Sequence, residues 1–167
     1  MKTIVTTSIL FLLTLVAHAE LRELGYTLGP QLFREGDSIK IEEVKASSSK
    51  FKIGETVTVS GSYTLKSKKE GKLSIFLTQK DDDGKSQISP EQQFKVKEGQ
   101  GNFEVSIEIQ HEGYLHLSFY PTDGGSAFGG VYFGKSKQMK EIEDWTLDWY
   151  LGGPVTAGHT DSVNQSR

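Results

Sequence analysis

Residues 113–134 read GYLHLSFYPTDGGSAFGGVYFG, and the reading of this stretch decides the fold. Leu115, Leu117 and Phe119 alternate with Tyr114, His116, Ser118 and Tyr120. A two-residue period sends the first set to one face of a sheet and the second set to the other. Pro121-Thr122-Asp123-Gly124-Gly125 then turns the chain, because proline lacks a ladder donor and paired glycines favour reversal. An apolar and aromatic run resumes at Phe128 and reaches Gly134, with glycines where side chains are expected. Such positions point to close approach of backbone or of a large ring.

Outward from this hairpin the same period recurs. Val57, Val59, Gly61, Tyr63 and Leu65 alternate with Thr58, Ser60, Ser62 and Thr64, and Leu73, Ile75 and Leu77 repeat the pattern with Phe76 on the opposite face. The short connection Lys66 to Gly71 predicts a hairpin between them. Ser38 to Val44 gives an earlier strand, with Val44 out of phase as at a bulge. Phe94 and Val96 mark another strand. Glu98 to Gly101 reads as a turn, and Phe103, Val105, Ile107 and Ile109 as the next strand. About seven strands with closely spaced turn signals predict an all-β domain. The expected architecture is an antiparallel β-sandwich, immunoglobulin-like or fibronectin-like, with a barrel or jelly roll as the alternative.

The flanks complete the division. Residues 1–19 carry Lys2, an apolar run from Ile4 to Val16 and Ala17-His18-Ala19, the pattern of a secretory signal peptide. Its core is shorter than the roughly 20 residues a membrane span requires. Residues 20–36 read as an irregular lead-in and 37–135 as the β-domain. Residues 136–151 read as a short helix from Lys137 to about Glu143, capped by Ser136, with an aromatic continuation packed on the domain. Residues 152–167 read as a disordered tail containing the sequon Asn164-Gln165-Ser166. With no cysteine in the chain, no disulfide holds the fold together. The compartment this predicts is secreted, periplasmic or cell-envelope, of the bacterial kind.

Charge and motifs narrow the function classes. Loss of residues 1–19 removes one lysine from 19 basic side chains and none of the 22 acids, leaving −4. That balance argues against nucleic-acid binding. Lys66, Lys68, Lys69 and Lys72 form one basic cluster, read as a solvated hairpin tip, with contact to an anionic polymer as the functional alternative. Asp81-Asp82-Asp83-Gly84 suggests calcium, but the glycine falls two places too early for the helix–loop–helix loop. Asp81 and Asp83 therefore remain metal candidates only for an irregular site, beside the reading of an Asp-Gly turn. Widely spaced histidines without cysteine do not make a zinc site, and no cofactor is implied. Ser126, His116 and Asp123 are the one set from which a small exported hydrolase could be built, with no spacing that fixes their geometry.

The reading that follows is a non-enzymatic exported binding module, whose partner is a surface polysaccharide or an envelope protein. Its candidate ligand-binding residues are Tyr114, His116, Tyr120, Phe128, Tyr132, Trp145 and Trp149, aromatic groups able to stack on sugar rings or dock a protein. The competing structural reading has Trp145 and Trp149 covering that aromatic face to make a second small core. A structural subunit that pairs through an edge strand is a further alternative.

Overall fold

A computed structural model describes residues 21–48, 50–80 and 92–152. The leader, the Asp81 and Asp83 candidates, the sequon and the tail beyond Gly152 lie outside these residues. Among the described residues seven strands run in order: β1 (Arg22–Glu23), β2 (Thr27–Phe33), β3 (Ser38–Ala46), β4 (Thr56–Gln79), β5 (Gln93–Glu108), β6 (Gly113–Tyr120) and β7 (Gly129–Gly134). They are followed by helix α1 (Ser136–Glu141) and a 3-10 helix at Asp148–Leu151. All pairings are antiparallel and join the strands in one sheet of order β1-β3-β4-β6-β7-β2, with β5 also on β4. The all-β antiparallel expectation holds. The strands form a single sheet curled into a half-barrel, and the pairing does not establish a two-sheet, immunoglobulin-like sandwich.

The curl originates in β4. Its first half, Thr56–Leu65, pairs with β3 and with the end of β5, and its second half, from Glu70, pairs with the start of β5 and with β6. The predicted hairpin at Lys66–Gly71 is therefore a continuous strand, and so is the predicted turn at Glu98–Gly101. These two polar stretches run alongside each other, with a register shift between Leu65 and Glu70 and Gly99 at φ 107°. Asp37 secures the bend. Its buried carboxylate accepts the backbone N–H groups of Lys66 at 2.7 Å and Ser67 at 2.9 Å. That pairing supplies partners for backbone groups that a polar run alone would leave to water.

The lead-in is also more ordered than its sequence suggests. Arg22 and Glu23 pair with β3, and Thr27–Phe33 pairs with β7, so this segment serves both ends of the sheet path. Pro30 is tolerated because β2 is an edge strand with a register shift between Leu28 and Gln31. A bulge between Ile41 and Glu43 brings Val44 back into phase, fully buried.

Two apolar layers result. The concave face carries the main core: Val57, Val59 and Leu65 from the first half of β4, Leu73, Ile75 and Leu77 from the second, and Leu117 and Phe119 from β6. Tyr63 meets Phe119 edge-on at 6.4 Å, so the two halves of β4 face each other across this core. On the opposite face Tyr114 and Tyr132 pack with Met139, Ile142, Leu147 and Tyr150. Lys135, not Ser136, occupies the N-cap of α1, while the Ser136 hydroxyl meets that of Thr27 at 2.6 Å.

Candidate functional site

Of the aromatic residues singled out by sequence, all but Phe128 gather on the outer face, where Tyr114, His116 and Tyr132 are buried and Tyr120, Trp145 and Trp149 half-buried. Tyr114, His116 and Tyr132 share the outer face, where the His116 ring lies 5.4 Å from Phe76 and 4.7 Å from Tyr132. Thr78 Oγ1 is 3.0 Å from His116 Nδ1 and 3.2 Å from the Tyr132 hydroxyl. Trp145 stands edge-on to Tyr114 at 5.3 Å and to Tyr132 at 5.6 Å, and the Trp149 ring lies 3.8 Å from that of Tyr150. Tyr120, half-buried, contacts Phe76 at 5.0 Å. Phe128 belongs to the other face, where it stacks on Phe119 in the main core with Lys68 Nζ 5.6 Å from its ring. These rings satisfy one another.

Gly130 explains the glycine-rich sequence of β7. A Cβ there would run into Ser118 Oγ and lie 2.5 Å from the Tyr150 hydroxyl oxygen. Those two hydroxyls are hydrogen-bonded at 2.6 Å, and both residues are buried. The missing side chain is what lets the C-terminal segment dock. Ser126, Asp123 and His116 occupy different surroundings. The first two are exposed in the loop after β6, and His116 is 2% exposed between Phe76 and Tyr132. No group of three or more metal-ligating side chains occurs among the described residues.

A different site emerges at one end of the half-barrel. A cleft of about 570 Å³ opens between the loop after β3, the ends of β4 and β7, the β5–β6 turn and α1. Its apolar wall comprises Phe51, Ile53, Leu77, Ile109, Leu115 and Phe133. Among the described residues, Lys50, Lys52, Lys80, Lys135 and Lys137 line it, against Glu112 and Glu141, for a net of +3 with histidine neutral. The whole chain, by contrast, is net −3.

Each wall is held. Lys135 Nζ donates to the Lys50 carbonyl and lies 6.0 Å from the centre of the Phe51 ring, tying the loop to β7. Gly54 N–H donates to Ile109 O at 2.7 Å and Ile109 N–H to Glu55 O at 2.9 Å. Gln138 Nε2 donates to Gly113 O at 3.2 Å, fixing α1 against β6. Glu141 accepts from Lys80 at 3.1 Å and from the Tyr114 hydroxyl at 3.0 Å, and these bonds hold its carboxyl below the usual carboxylate range. The other four lysines form no salt bridge among the described residues. Phe51 has φ 49°, the one positive value at a non-glycine residue among those described. Left-handed backbone at a bulky residue persists only where its surroundings over-determine it.

Nothing in local sequence marks this site. Its residues span Lys50 to Glu141 and meet only through topology. No family model, curated protein or solved structure matches the chain. The geometry of the cleft thus carries the functional reading.

Proposed function

We propose that this protein is an exported, non-enzymatic binding module whose ligand site is the lysine-rimmed cleft, with a partner drawn from outside the cytoplasm. The observation that carries the reading is the combination of an apolar wall with a positive rim on a chain of opposite net charge. Ligand pockets of roughly 300–1,000 Å³ with a few convergent polar groups are the usual form of such sites. The partner is a component of the envelope or surface that presents an acidic group, whether on a polysaccharide, on a protein or on a smaller apolar body. The fold reading that accompanies it is an immunoglobulin-like sandwich. It is supported by the division of the β4 ladder near Leu65 and Glu70 and by the lead-in that serves both ends of the sheet path.

The test is a thermal-stability screen of the purified protein against acidic polysaccharides, carboxylate-terminated peptides and acyl anions. At least one class should raise the midpoint, and the rise should vanish in the Lys52→Glu, Lys137→Glu double variant. No rise from any class, or a rise that the double variant preserves, removes the cleft from the reading. The hydrolase alternative draws less support, since His116 is buried apart from the exposed Ser126 and Asp123. Ester turnover abolished by Ser126→Ala would reinstate it. Edge pairing is a second reading, favoured by β5, whose 16 residues pair only with β4 among the described strands. A protein that stays monomeric at high concentration counts against it.

A further inference from the structure

We infer that the cleft takes an anionic amphiphile, a molecule with one acidic head group and an apolar body, and this inference rests on the cleft being the binding site. Charge alone would suit any anion, but the wall is not built for a highly charged chain. Leu77, Ile109, Leu115 and Phe133 are buried core residues that reach the cleft from the main apolar layer. Ile53, 61% exposed, and Phe51 extend that surface outward. An apolar body laid along these groups removes hydrocarbon from water on both sides, at roughly 25 cal/mol for each Å² of apolar surface. A polyanion would instead bring its own hydration shell against them, at a cost in desolvation.

The head group belongs at the rim. Lys50, Lys52 and Lys137 are exposed and outside any salt bridge among the described residues, whereas Lys80 is paired with Glu141. Cations in that position attract an acid without requiring full burial of the charge. His111 also lines the cleft. Its Nδ1 lies 3.0 Å from the Glu112 carbonyl oxygen and so carries the proton, while its buried Nε2 has no hydrogen-bond partner among the described residues. The left-handed Phe51 and the Lys135 tether hold the loop that carries Lys50, Lys52 and Ile53 in place beside the buried wall.

Calorimetric titration of the purified protein with dodecanoate, dodecyltrimethylammonium and alginate, below the micellar range of the first two, tests the assignment. Dodecanoate should bind one to one, and its cationic counterpart at least about tenfold more weakly, as reversal of one near-surface charge implies. The Lys52→Glu, Lys137→Glu double variant should weaken dodecanoate by a similar factor with an unchanged melting midpoint. Ile53→Asp, at an exposed position that the fold does not need, should weaken dodecanoate as well. Equal affinity for the two head groups, or no dodecanoate binding, overturns the ligand class. Alginate binding that needs the lysines and ignores Ile53→Asp overturns the class and leaves the cleft as the site. Dodecanoate binding indifferent to all three substitutions overturns the class and the site together.

Discussion

The two faces of the curled sheet are closed by different means. The concave face is filled by aliphatic side chains and the rings of Tyr63, Phe103, Phe119, Phe128 and Phe133, and Leu65, Leu73, Ile75, Leu117 and Phe119 are wholly buried there. The outer face is aromatic and polar. It depends on a separate segment, tied down by the Ser118–Tyr150 hydroxyl pair and the Tyr114–Glu141 contact. Volume and shape specify the first layer. Directed bonds specify the second, and a layer of that kind should detach before the sheet dissolves.

The largest effect should come from Phe119→Ala, which empties a buried ring from the concave face and should cost about 3–5 kcal/mol. Urea unfolding followed by circular dichroism should show the whole strand signal lost earlier, in one transition. Gly130→Val should cost less, about 1–3 kcal/mol from overpacking, and should split the behaviour of the two layers. Trp145 and Trp149 both lie on the outer layer, so tryptophan fluorescence should change at lower urea than the strand signal. Coincident transitions in that variant would mean the faces are one cooperative unit. The smallest effect should be acid loosening of α1. Because its folded pKa is lowered, Glu141 contributes stability above the ordinary value of about 4.3, and this is lost as pH falls through the lowered folded value. The acid-induced fluorescence change should be reduced in Glu141→Gln. An identical acid profile would show that this contact does not hold the segment.

The same contrast separates what the sequence reveals from what it conceals. Strict alternation along Leu115–Phe119 and Val57–Leu65 identifies both the strands and the faces they present, because a two-residue period is a direct image of the pleat. It correctly puts Tyr114, His116 and Tyr132 on one side. The stretches Lys66–Glu70 and Glu98–Gly101 mislead because lysine runs and glycines carry turn chemistry. Only the neighbouring strand and the Asp37 carboxylate make them continuous. The lead-in, read as irregular, misleads for a related reason, since its Pro30 is compatible with a strand only along an edge. The cleft is the extreme case. Lys52, His111, Phe133 and Lys137 have no common period or motif, and their proximity exists only after every strand is placed.

The lead-in has a consequence for the order of assembly. Thr27 pairs with Gly134 and Phe33 with Gly129, so contacts made by some of the first described residues require some of the last. A chain delivered from its N-terminus must carry β2 without a partner until nearly the whole domain has emerged. Such distant pairing is slow, because loop closure precedes any reward from the contact. The joining of β2 to β7 should therefore be among the final steps of folding. Until then the outer edge of β7 stays open to strands from other molecules.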